Sequence, residues 1–382
     1  MTGYVAGSIC KHFEPGSYSG RRISGETCSS FSMKIRGPIS INEIVAATGL
    51  SRATIDRVLN KRPGVRPRTQ AHVLRVLARL ENDGQLDRQG PFALERREAH
   101  RFAIVVQAGR TFTDSVLETV QKLADAENGV ATLRATASRS DEETIELIQA
   151  AGEESDGLAL VSKNIEPVKS ALKELQDKGK PVVALVSDLD ATVRNAYVGI
   201  DNRAAGQLAA FILGRCLERG EDAKVAVVVG YFSFLCQEDR EIGFRSLLRQ
   251  RFPQIEIVEV IKGDDSGDAT FEAALRLLKN RRDIAGIYNV AGGNSGLAKA
   301  IDEAHLDQRL LYIAHEVNQV TEPLLRKGVI DFLISQKIDS LIRMSRQVLI
   351  DLRLGPGAVR ELNYLPIQVV SEFTLTGSTP GK

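Results

Sequence analysis

Cysteine is scarce. Cys10, Cys28, Cys216 and Cys236 are the only four in 382 residues, with neither C-x-x-C spacing nor histidines clustered around them. A disulfide scaffold or a zinc module is therefore unsupported, and a reducing cytoplasm is the simpler setting. No run of about 18 apolar residues occurs, which excludes a membrane-spanning helix. The opening Met1-Thr-Gly-Tyr-Val-Ala-Gly7 lacks the basic and apolar stretches of an export signal. The five histidines (His12, His72, His100, His305, His315) are scattered, and neither H-E-x-x-H nor G-x-S-x-G is present. His315-Glu316 could form an acid–base pair but lies where a binding loop is expected. Gly292-Gly-Asn-Ser-Gly296 matches neither the dinucleotide nor the P-loop pattern. No catalytic residue, metal site or cofactor is expected, and the chain reads as a non-enzyme.

Large net charge is also lacking, at +1 overall. The balance hides an asymmetry: residues 34–83 hold ten basic and four acidic side chains, leaving the remainder mildly acidic. A compact basic unit on a different body suggests one part that meets a polyanion and another with a separate task. A hydrophobic content of 43% is ample for more than one core.

Residues 1–33 are Gly/Ser-rich without periodicity and read as a disordered extension, with Met33 a candidate translation start. Three short helices are expected over 34–83. Ser40 and Glu43 form a capping box before Ile44, Val45 and Ala47. Gly49 turns the chain, and Ser51 caps a helix over 52–59 that buries Ile55, Val58 and Leu59 and leaves Arg52, Ala53, Asp56 and Arg57 outward. A third helix over 68–80 buries Val73, Leu74, Val76, Leu77 and Leu80. Residues 84–100 are a polar hinge linker. From 101 to 376, short β-rich runs alternate with helices, the pattern of parallel sheets covered on both faces. The stretch is too long for one ordinary sheet, so two doubly wound α/β lobes are expected. Lobe one takes about 101–199 and 337–364, lobe two about 200–336 and 365–376, and 377–382 is a tail.

Helix, tight turn, helix is the geometry that sets a second helix in the DNA major groove. Arg52, Ala53 and Arg57 then face base edges, Arg57 being suited to guanine. Thr54, Arg66, Arg68 and Thr69 meet phosphates, with Ser51 and Asn60 at the two ends of the reading helix. The bland alternative is a small bundle with a solvated basic face.

The run Ile41-Asn-Glu-Ile-Val-Ala-Ala-Thr-Gly-Leu-Ser-Arg-Ala-Thr-Ile-Asp-Arg-Val-Leu-Asn60, followed by Pro63-Gly-Val-Arg-Pro-Arg-Thr69, resembles the headpiece of lac-repressor-family transcription regulators. The resemblance continues over the α/β body, whose lobes resemble periplasmic sugar-binding proteins. Asp56 departs from the family's preferred Ser. The resemblance implies that Leu94 wedges into the minor groove from a hinge helix. Gly90-Pro91-Phe92 replaces the usual small helix formers there, and a plain flexible linker stays open as the alternative.

Such lobes close on a ligand at the carboxyl ends of their strands. Gln107, Arg110 and Phe112 follow the first strand, and Asn294 follows a glycine turn. The resemblance maps Asp188, Arg240, Glu316 and Gln336 onto ligand-contacting positions. Ala291-Gly292 stands where many members carry Asn-Asp, so Asn294 would substitute. Each of these polar residues could instead cap a helix or face water. Asp201-Asn202 reads as a helix cap. What the resemblance implies is a homodimeric cytoplasmic repressor of carbohydrate-catabolism genes, binding a pseudo-palindromic operator under control of a sugar or polyol. A periplasmic-type sugar-binding protein and a DNA-tethered sugar enzyme are the alternatives.

Overall fold

The computed structural model describes residues 41–60, 62–82, 100–126, 131–217, 222–306, 309–355 and 359–375. The expected extension, Ser40 cap, hinge linker with Leu94, and tail lie outside these residues. Three helices come first: α1 (Ile41–Thr48), α2 (Arg52–Leu59) and α3 (Pro67–Asn82). Gly49 makes the turn at φ +68°, and the Ser51 hydroxyl accepts the Thr54 amide at 3.3 Å to cap α2. Ile44, Ile55, Val58 and Val73 close a small core. Leu74 departs from the expectation that it is buried, being 42% exposed. Val73 and Leu77, one turn apart, supply the inward stripe of α3, and Leu74 falls beside it.

Lobe one begins with β1 (His100–Gln107), α4 (Arg110–Ala126), β2 (Ala131–Ser138), α5 (Asp141–Glu154), β3 (Gly157–Val161), α6 (Glu166–Asp177), β4 (Val182–Leu185) and β5 (Ala196–Gly199). Lobe two follows with α7 (Asn202–Leu217), β6 (Ala223–Val229), α8 (Leu235–Arg251), β7 (Ile255–Lys262), α9 (Gly267–Asn280), β8 (Ile284–Asn289), α10 (Asn294–Ala304), β9 (Leu311–His315), α11 (Thr321–Arg326) and β10 (Phe332–Ser335). The chain then returns to lobe one as α12 (Ile338–Leu354) and β11 (Leu362–Tyr364), and ends in lobe two as β12 (Gln368–Val370).

The first sheet runs β11-β5-β4-β3-β1-β2 and is parallel throughout. The second runs β12-β10-β9-β8-β6-β7, with only β12 antiparallel. Central strands such as Val182-Val-Ala-Leu185 are buried on both faces, which is why they are apolar without alternation. The expected two-lobe parallel architecture is therefore present. Among the described residues the chain crosses between lobes three times, after β5, β10 and β11.

One close approach positions the cleft. A methyl group on Gly206 of α7 would lie 2.0 Å from the Arg240 carbonyl oxygen of α8, and one on Gly243 would lie 2.1 Å from that of Arg203. Only glycine lets these two backbones touch, and the touch brings Arg240 level with the start of α7.

Candidate functional site

Two places on this scaffold gather chemistry. The first is the exposed side of α2. Arg52, Ala53 and Arg57 face outward, with Thr54 half-buried beneath them. Arg62, Arg66 and Arg68 are exposed beyond the helix end, and Thr69 is half-buried. Asp56 organises that end: its carboxylate accepts Asn60 Nδ2 at 2.7 Å and pairs with Arg62 at 3.2 Å. Asn60 is thus tied back to its own helix.

The second place is a cavity of about 100 Å³ between the carboxyl ends of the two sheets. Phe112, Phe234, Arg240, Asn294, His315 and Glu316 are among its walls. The lobes meet beside it. The Asn164 amide donates to the Ser233 carbonyl at 2.7 Å, the Cys236 amide donates to the Ser187 hydroxyl, and the Lys163 ammonium lies 4.8 Å above the Tyr231 ring.

Arg240 is 5% exposed. Its Nε donates to Asn202 Oδ1 and its Nη1 to the Val290 carbonyl, each at 2.9 Å, while Nη2 is buried with no partner among the described residues. A buried cationic donor left unpaired is costly, so the position favours an acceptor brought from outside. Asn202 also donates to the Val186 carbonyl and the Tyr197 hydroxyl, so it does more than cap α7. Capping falls to Asp201, which accepts the Ala204 amide.

Glu316 sits at φ +62° just past β9 and accepts from Ser335 Oγ at 3.0 Å and Gln336 Nε2 at 3.1 Å. Burial raises its carboxyl group above the ordinary range, against the lowering effect of Arg240 and these donors. Gln336 therefore reaches the cleft through Glu316, and its own Oε1 is buried without a partner among the described residues. His315 shares a 2.7 Å hydrogen bond between Nε2 and the Tyr288 hydroxyl, and its Nδ1 is unpaired among the described residues. Burial first, and the charge of Arg240 second, push its imidazole well below the usual range. The Asn294 carbonyl oxygen is taken by Asn289 and Tyr312.

Of the ligand residues expected from sequence, the structure brings Phe112, Arg240, Asn294 and Glu316 together, with Gln336 behind Glu316. It does not bring Gln107, Arg110 or Asp188 to the cavity wall. Gln107 is buried but spent on Lys163 N, Ser162 Oγ and Asp141. Arg110 has 94% of its side chain exposed, near Asp114. Asp188 holds Arg194 through two hydrogen bonds, at 2.5 and 2.9 Å. Sequence reasoning left out His315 as a wall residue, together with Phe234, Cys236, Gln237 and Asp265. Asp265, at φ +51°, accepts the Gly292 amide and Gln237 Nε2. The turn Gly263-Asp-Asp-Ser-Gly267 was its available signal.

Residues 102–355 match the model of the periplasmic binding protein domain, and the chain belongs to that family. The three-helix unit precedes that domain in the chain. Catabolite control protein A of Priestia megaterium is 22% identical over 251 residues, which is 65% of this chain and 73% of that protein. Among solved structures, the body is similar to GanP, a glucose-galactose binding protein from Geobacillus stearothermophilus (TM-score 0.66, 25% identity, covering 73% of this chain and all of that one). It is also similar to an ABC transporter solute-binding protein from Burkholderia graminis in complex with D-arabinose (TM-score 0.67, 20% identity, covering 75% of this chain and 99% of that one). Among the described residues no helix is long and apolar enough to cross a membrane.

Proposed function

We propose that this chain is a DNA-binding transcription regulator whose operator affinity is set by a small sugar or polyol. The carrying observation is the pairing of two sites in one chain: an arginine-bearing, hydroxyl-capped helix with its outer face free, and a cleft with a buried Arg240 donor awaiting an acceptor. Arg52, Ala53 and Arg57 read base edges. Thr54, Arg66, Arg68 and Thr69 fix the headpiece on the phosphates, with Ser51 and Asn60 holding the two ends of the reading helix, and Leu94 enters the minor groove. Two headpieces are needed for two half-sites, so the working form is a homodimer on a pseudo-palindromic operator. In the cleft, Phe112 packs on the C–H face of the effector, while Arg240, Asn294 and Glu316, the last set by Gln336, meet its hydroxyls. Gln107, Arg110 and Asp188 join the site only if the lobes rearrange around the effector. The regulated genes are those of carbohydrate catabolism, and the protein acts as their repressor in the cytoplasm.

Electrophoretic mobility of the DNA upstream of its own gene tests this reading. Retardation that weakens steeply with salt and changes with sugar supports it. Sugar binding with no DNA binding would favour a solute-binding protein instead, and turnover of a sugar would favour an enzyme.

A further inference from the structure

His315 carries information beyond its place in the wall. The Tyr288 hydroxyl is fully buried and shares a 2.7 Å hydrogen bond with His315 Nε2, in which the imidazole tautomer decides which side donates. A buried hydroxyl donates when an acceptor is present. The Tyr288 proton therefore points to Nε2, which leaves the imidazole hydrogen on Nδ1. Among the described residues that Nδ1–H is buried with no partner, as is Arg240 Nη2, and both residues line the same cavity. The charge of Arg240 is felt at the His315 imidazole, so the two residues lie near each other on that wall. The charged groups around the cavity are one cation, Arg240, and two carboxylates, Asp265 and Glu316.

We infer that His315 Nδ1–H and Arg240 Nη2 form a paired donor that holds an acceptor oxygen of an uncharged ligand, with His315 the residue that sets this requirement. The inference rests on the sugar-effector reading and narrows it. A phosphate ester or a sugar acid brings negative charge to a wall already carrying more carboxylates than cations, which costs binding. A neutral aldose brings ring, carbonyl or hydroxyl oxygens to the two donors without that cost.

The test uses the full chain and calorimetric titration with D-galactose, D-glucose, D-xylose, D-arabinose and D-ribose, alongside galacturonate, glucuronate and glucose 6-phosphate. At least one neutral aldose should bind, about 10-fold or more tighter than any charged probe. His315→Leu should weaken it about 10-fold or more, because Arg240 then holds the oxygen alone. His315→Asn keeps a donor near the Nδ1 position and should recover most of that loss. Unchanged circular dichroism of both variants without ligand confirms that they fold. A charged probe binding as tightly as the best neutral one, unaltered affinity in His315→Leu, or no binding by any probe would each overturn the inference. Mobility shift with upstream DNA on the same preparations separates the two ideas. Neutral-sugar binding through His315 without a DNA shift sinks only the regulator reading, and a DNA shift with tight binding of a charged probe sinks only the paired donor.

Discussion

Asn202, the first residue of α7, accepts the Nε–H of Arg240 from α8 at 2.9 Å, so the guanidinium in the cleft is aimed by a neighbouring helix. Asn202→Ala removes that acceptor and two further bonds to Val186 and Tyr197. Leaving these buried groups unpaired should lower stability by about 2–3 kcal/mol, read by urea denaturation. Sugar affinity should fall with it, while headpiece binding to DNA without effector should persist. Equal loss of both activities would place Asn202 in the fold alone.

Gly206 makes a sharper mechanical prediction. An alanine there drives a methyl group into the Arg240 carbonyl, which α8 can relieve only by sliding. Gly206→Ala should cost about 1–3 kcal/mol and displace Arg240, weakening sugar binding more than the stability loss alone explains. Gly179→Ala, where nothing lies within 4 Å of the added methyl but φ is +74°, serves as the comparison. It carries backbone strain without touching the cleft, so sugar affinity should be unchanged.

Strand–helix alternation made the two lobes legible because central parallel strands such as Gly157–Val161 and Ile284–Asn289 are continuous apolar runs. Their limits follow from composition. β5 is four residues long and stops at Gly199, too little pattern to stand out, and β11 and β12 are three residues each. In the cleft, Phe112, Arg240, Asn294 and Glu316 were legible as side chains at strand ends or the helices that follow. Gln107 and Asp188 occupy the same kind of position, yet each is claimed by partners far away or across a loop: Asp141 and Lys163 for one, Arg194 for the other. Spacing in sequence does not reveal such competition. The sequence places His315 in a binding loop without making it a ligand contact, because its polar role depends on Tyr288, 27 residues earlier.

Protonation of His315 should shape stability on the acid side. Its folded-state imidazole resists protonation, so below the ordinary value of 6.5 the unfolded chain binds the extra proton and unfolding is favoured. Stability should fall as pH drops through 6.5, and His315→Asn should flatten that limb. Glu316 acts in the opposite sense. Its raised carboxyl binds a proton more readily folded than unfolded, so its contribution declines as pH rises above 4.5. Glu316→Gln should remove that decline. Urea denaturation from pH 4 to 8 reads both, and unchanged limbs in the variants would contradict the assignment.

Arg57 and Arg240 should separate cleanly. Arg57→Ala is expected to relax base preference in a binding-site selection by about 1–3 kcal/mol at one position, with sugar affinity intact. Arg240→Ala should abolish the response to sugar while operator affinity is retained. The reverse pattern would mean that the two sites have been exchanged.

Coupling between cleft and headpiece is tested most directly by titrating one sugar into the full chain with and without a saturating operator duplex. Binding equilibria require reciprocity: the factor by which sugar changes operator affinity must equal the factor by which operator changes sugar affinity. The account predicts a single factor of about 5–150, the same from both directions. Identical sugar affinity with and without DNA would mean that the cleft does not govern the headpiece.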